Sequence, residues 1–103
     1  MPRKPLALFP SETKLLAELG ERLRLARLRR NLSTETVAAR SRISRMTLYR
    51  AEEGSPAVAF GVYLRILAVL GLEDDVSLLA ADDRLGRKLQ DMGLPVRKRA
   101  RKS

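Results

Sequence analysis

The sequence predicts an all-α domain on three observations. Apolar residues recur at helical spacing, most runs open on a capping side chain, and no stretch alternates in the manner of a strand. The first run places Leu16, Leu19, Leu23 and Ala26 on one stripe, which Leu15 widens. Ser11 reads as its N-cap, with Glu12 in the first turn, where the helix dipole favours an anion. Asn31, tolerant of the left-handed conformation, suits the other end, so the expected helix covers residues 11–30. Residues 1–10 carry three prolines and no periodicity and read as an extended arm.

Ser33 caps a short second helix over 34–41, with Val37 and Ala38 inward. Arg42 and Ile43 precede another capping residue, Ser44, which opens a third helix over 45–53 with Leu48 and Ala51 inward. Gly54 ends it and Ser55-Pro56 forms the loop. Two short helices joined by a turn of about three residues form a helix-turn-helix pattern. A fourth helix, 59–70, is apolar nearly all round, with Arg65 as its one charge. Phe60, Leu64 and Leu67 are its expected inward face. The surplus of Val62, Ile66 and Val69 marks a candidate dimer or partner interface. Leu25 and Leu28 on the first helix lie off its main stripe and point the same way more weakly.

A fifth short helix is expected from Asp74 or Asp75 to Leu79. A sixth starts at Asp83, with Leu85, Leu89 and Met92 inward and Gly93 and Pro95 stopping it. The organisation is therefore an arm (1–10), a helix-turn-helix domain (11–72), a C-terminal helical extension (73–95) and a basic disordered tail (96–103).

Composition narrows the chemistry. A chain of 103 residues suits one domain, and 45% hydrophobic against 32% charged residues is globular. With four aromatics and no Trp the core must be aliphatic. No Cys means no disulfide and no thiolate metal site, and no His removes the commonest general base and most zinc chemistry. No cofactor and no enzymatic activity are expected. No apolar run approaches the roughly 18 residues of a membrane span, and a soluble cytoplasmic protein is expected. A net charge of +9 favours a polyanionic partner, nucleic acid before membrane.

The charge is unevenly placed. Residues 22–50 hold nine Arg against one acid, Glu35, whereas residues 73–83 hold five acids and no base. Five bases follow in residues 97–102, suited to nonspecific capture of DNA through phosphate counterion release. The acidic stretch fits a protein-facing patch or simple helix capping.

In a helix-turn-helix the second helix of the motif enters the major groove and the first crosses the backbone. The candidate base contacts are therefore Arg45, Met46, Thr47 and Arg50. Arg45 and Arg50 can donate twice to guanine, and Met46 and Thr47 can touch a thymine methyl. Candidate phosphate contacts are Ser33 and Thr34 at a helix N-terminus, Tyr49, and the cations Arg29, Arg30, Arg40 and Arg42. An Arg-rich helix is also commonly a solvated face, and Arg29 and Arg30 suit a helix C-terminus on dipole grounds alone.

The segments Leu19-Gly-Glu-Arg-Leu23, Leu32-Ser33, Val37-Ala38, Ile43-Ser44, Leu48 and Glu52-Glu-Gly54 resemble the Xre, or lambda-repressor-like, family over about residues 16–72. The continuation, Val69-Leu-Gly-Leu-Glu73, Asp82-Asp-Arg-Leu-Gly-Arg-Lys-Leu-Gln-Asp91 and Gly93-Leu-Pro95, resembles HipB-type antitoxins encoded beside HipA-type toxin kinases. The resemblance implies a lambda-repressor-like fold of about five helices plus a short C-terminal helix. It further implies a homodimer that represses its own pseudo-palindromic operator on double-stranded DNA and binds a HipA-like kinase toxin. It also implies a buried ion pair at the positions of Arg27 and Glu52. Three positions depart from the family: Thr34 replaces a usual Gln, Arg42 a usual Gly in the turn, and Ala59 a usual polar cap.

Overall fold

The computed structural model describes residues 6–93. The basic tail, the Pro95 stop and the first half of the arm lie outside them. Five α-helices and one 3-10 helix follow in order, with no strand among the described residues. They are α1 (Pro10–Arg29), α2 (Thr34–Ser41), α3 (Arg45–Glu52), α4 (Phe60–Val69), the 3-10 helix (Glu73–Leu78) and α5 (Arg84–Asp91).

The first helix starts earlier than the capping pattern suggests. Pro10 occupies its first position, where a missing N–H costs nothing, and Ser11 lies inside the helix rather than at the cap. Extended Phe9 is the N-cap, and its N–H donates to the Glu12 carboxylate at 3.0 Å. No side-chain oxygen at the cap accepts a first-turn amide, as Ser11 was expected to; the polar contact at this end is instead Glu12 reaching back to the N-cap amide. The helices α1 to α4 all terminate in one way. Asn31, Arg42, Gly54 and Gly71 take φ values of 54°, 58°, 75° and 76°. The amide after each donates to the carbonyl five residues back: Leu32 to Arg27, Ile43 to Ala38, Ser55 to Arg50 and Leu72 to Leu67. Arg42 accordingly holds a left-handed position with a β-carbon in place.

The core is aliphatic around one Tyr: Leu23, Ala26, Val37, Ala38, Leu48, Ala51, Tyr63, Ile66, Leu67 and Leu70. On α4 this corrects the expected orientation. Ile66 is buried inside its own domain, so it is unavailable to a dimer or partner interface, while Phe60 and Leu64 lie exposed. The inward set Tyr63, Ile66, Leu67 and Leu70 falls at i, i+3, i+4 and i+7, a regular helical face. The all-apolar sequence offers no polar edge to choose that face. The Tyr63 hydroxyl helps to set it, donating to the Ser55 carbonyl at 2.8 Å. Burial pushes the Tyr63 pKa up, which keeps this donor protonated.

The C-terminal extension also departs from expectation. Residues 73–78 form a 3-10 helix with no buried residue, and Ala80 follows at φ 59°. Asp83 then caps α5 by accepting the Gly86 N–H at 2.9 Å. Leu85, Leu89 and Met92, expected inward, are 68%, 41% and 71% exposed. Periodicity identified an apolar face, but α5 is turned away from the core that was expected to cover it.

Closest approach occurs between α1 and the end of α3. A β-carbon on Gly20 would lie 2.5 Å from the Glu52 carbonyl oxygen and 2.7 Å from that of Ala51. One on Gly54 would lie 2.5 Å from the Leu16 carbonyl oxygen. Each glycine faces backbone, which cannot swing aside. Gly20→Ala should therefore destabilise the domain by roughly 1–3 kcal/mol through overpacking, although Ala is the better helix former. Denaturant unfolding followed by circular dichroism measures this, and an unchanged midpoint would contradict the contact. Arg42→Gly should move the other way by about 1 kcal/mol, by relieving the left-handed conformation.

Candidate nucleic-acid interface

The turn chemistry of α2 and α3 is the same. Ser33 accepts the Thr36 N–H at 3.0 Å and donates to the Thr36 hydroxyl at 2.9 Å. Ser44 does likewise with Thr47, at 3.0 and 2.9 Å. Both helix starts are thereby fixed by their own side chains. The remaining first-turn amides of α2 suit a phosphate oxygen. Ser33 is itself engaged in that cap, and Thr34 beside it is exposed.

With Leu48 and Ala51 buried, α3 turns Arg45, Met46, Tyr49 and Arg50 outward, all exposed. Thr47 is half-buried, its amide and hydroxyl tied to Ser44. Arg29 and Arg30 at the end of α1, and Arg40 and Arg42 at the end of α2, are also exposed. Arg30 bends back to donate to the Ala26 carbonyl at 2.9 Å. Arg24 pairs with Glu21 at 2.8 Å, and that hydrogen bond holds the Glu21 carboxyl below its usual range.

Arg27 has a different environment. Its Nε and Nη2 donate to the two Glu52 carboxylate oxygens at 2.8 and 3.1 Å, and its Nη1 donates to the Leu32 carbonyl at 3.1 Å. Both side chains are about nine-tenths buried. A planar guanidinium thus joins α1, the end of α3 and the loop that leads into α2. This forked geometry is one that a lysine ammonium cannot reproduce. Of the interface candidates on α4, Val62 and Val69 are half-buried against the core, and Ile66 is wholly within it.

Three features escaped the sequence reading. The Gly20–Gly54 approach was signalled only by a glycine in the interior of a long helix, where it costs about 1 kcal/mol and so implies packing. The third Arg27 bond, to the Leu32 carbonyl, has no side-chain signature. The Tyr63–Ser55 bond was foreshadowed only by a Tyr within an apolar helix, since a buried hydroxyl seeks an acceptor.

A short, doubly capped helix with a clamped inner face and an Arg-bearing outer face, set against a second short helix, defines a DNA-binding helix-turn-helix domain. The family described as a helix-turn-helix domain matches residues 18–80, more than half of the sequence, and the chain belongs to it. The match ends before α5. No curated protein matches the chain. No helix among the described residues is long and apolar enough to cross a membrane.

Removing one partner of the buried pair leaves the other charge uncompensated. Glu52→Ala should cost roughly 3–5 kcal/mol, whereas the double change Arg27→Met/Glu52→Leu should lie closer to the wild type than either single change. Equilibrium unfolding of the four proteins tests this, and a double variant as unstable as the sum of the singles would refute it.

Proposed function

We propose that the protein is a sequence-specific double-stranded DNA-binding transcriptional repressor that acts as a homodimer on a pseudo-palindromic operator. The observation that carries this reading is the outward set of α3, Arg45, Met46, Tyr49 and Arg50, on a helix fixed at both ends. Arg45 and Arg50 read guanine edges, and Met46 and Thr47 meet a thymine methyl. For Thr47, the hydroxyl's engagement with Ser44 leaves the methyl as its simplest contact. The α2 N-terminus at Ser33 and Thr34, together with Tyr49, Arg29, Arg40 and Arg42, holds phosphates and sets the register. Arg30 joins them by leaving the Ala26 carbonyl.

The finer reading is a HipB-like antitoxin of a type II toxin–antitoxin module that autoregulates its operon and binds a HipA-like kinase toxin. Its support is the resemblance of residues 69–95, together with an exposed C-terminal extension that bears apolar and acidic residues. Co-purification with a kinase-like product of an adjacent gene tests it. If that product fails to bind, the protein is a stand-alone regulator.

Arg50→Ala should cost roughly 1–3 kcal/mol of operator affinity and relax the preference at one base position. Selection of bound sequences from a random DNA pool, followed by titration at two salt concentrations, measures both. Binding that matches random DNA at every salt would overturn the repressor reading.

A further inference from the structure

Beside the face of α1 that meets α3 runs a second stripe, Leu15, Leu19 and Arg22. With the start of α4 and the 3-10 helix it borders an open apolar groove. Leu15, Leu19, Phe60, Val76 and Leu79 line this groove, and Asp75 stands at its edge. Leu15, Phe60 and Leu79 are 65%, 58% and 61% exposed. The same chain also carries a helix without a seat. Along α5 and its C-cap, Leu85, Leu89 and Met92 fall at i, i+4 and i+7 and form a single exposed stripe, with no buried residue in the helix. Exposed apolar patches of this kind mark places of association.

We propose that α5 of one copy docks into this groove of a second copy, and reciprocally, so that exchanged C-terminal helices form the dimer. The proposal rests on the dimeric reading above and assigns its interface. Three arguments select a second copy as the occupant. Both halves of the contact belong to every chain, so a two-fold pair satisfies two grooves and two helices at once. The charges are complementary. Lys88 flanks the apolar stripe of α5, where Arg84 and Arg87 are already paired with Asp82, while the 3-10 helix presents Glu73, Asp74 and Asp75. Glu12 and Asp75 border the groove against the single cation Arg22. Neither Lys88 nor Asp75 has an ion-pair partner among the described residues. Finally, the turn at Ala80 and the Asp83 cap present α5 away from its own core as a separate helix. The exposed Phe60 of α4 becomes a dimer contact, the place that Ile66 cannot take.

The test uses the full chain and two double variants, Leu85→Glu/Leu89→Glu in the helix and Leu15→Glu/Leu79→Glu in the groove. Molecular mass is read by light scattering and sedimentation across a concentration series, with and without operator DNA. Circular dichroism melts establish that each variant is folded, as expected for substitutions at exposed positions. The wild type should have the mass of two chains, and each variant should raise the dimer dissociation constant about 100-fold or more. Mixing the two variants should recover part of the dimer, because one intact helix then meets one intact groove. A groove variant that stays dimeric while the helix variant does not would mean that α5 pairs with α5, and the exchange would be wrong. Two folded variants that both stay dimeric would also overturn the exchange and leave the dimeric repressor standing. A wild type monomeric with and without DNA would overturn both readings. A variant that fails to melt cooperatively is replaced by Lys88→Glu, which should weaken the dimer and be rescued by Asp75→Lys. Absence of that rescue counts against the exchange.

Discussion

The backbone contact between α1 and the end of α3, clamped by Arg27 and Glu52, is the constraint on which the rest of this domain depends. Gly20 and Gly54 let the main chains approach to a distance that no β-carbon permits. At that distance the guanidinium of Arg27 reaches both oxygens of Glu52 and the Leu32 carbonyl together. The glycines make the approach possible and the ion pair gives it direction. Buried with three hydrogen bonds, the pair is satisfied, and its value lies in setting one relative position of α1 and α3. Since the outer face of α3 is the one proposed to meet DNA, the same contact that closes the core also sets the direction of that face.

The charge is divided accordingly. Of nine Arg between residues 22 and 50, Arg24 is paired with Glu21, Arg27 is committed to the interior, and Arg30 bonds to a carbonyl of its own helix. Arg22 borders the groove between α1, α4 and the 3-10 helix. The outward Arg that remain lie at the ends of α1 and α2 and along α3, the positions proposed to meet phosphates and base edges. A net charge alone does not distinguish these roles; burial and hydrogen bonding do. Arg42 combines two of them, since it ends α2 in a left-handed conformation and presents a cation beside the turn. A glycine there would be easier on the backbone but would carry no charge.

Most of the elements were legible because their ends are written locally. Ser33 and Ser44 cap α2 and α3, and Asn31, Gly54 and Gly71 end their helices as their backbone preferences require. The start of α1 was misread at Ser11, because Pro10 could open the helix one residue earlier and Glu12 could reach back to Phe9. The core face of α4 was misread for another reason. Periodicity needs contrast, and an apolar helix with Arg65 as its one charge has almost none. For α5 the contrast was clear and the face was right, but the pattern does not say what covers it. The buried pair of Arg27 and Glu52 was anticipated through family resemblance, as neither position carries a local signal for pairing across 25 residues.

By itself, then, the amino-acid sequence determined the all-helical class, the capped helix-turn-helix and the basic character of its surface. These rest on interactions within a turn or two of chain, where a residue's own conformational preference decides. Tertiary structure alone decided which face of α4 is buried, that α1 and α3 meet main chain to main chain, and that Arg27 is committed to the interior. It also decided that α5 stands apart with its apolar stripe uncovered. Each of these depends on atoms brought together from distant parts of the chain, where close packing and the pairing of buried polar groups choose among arrangements that local preference leaves equal.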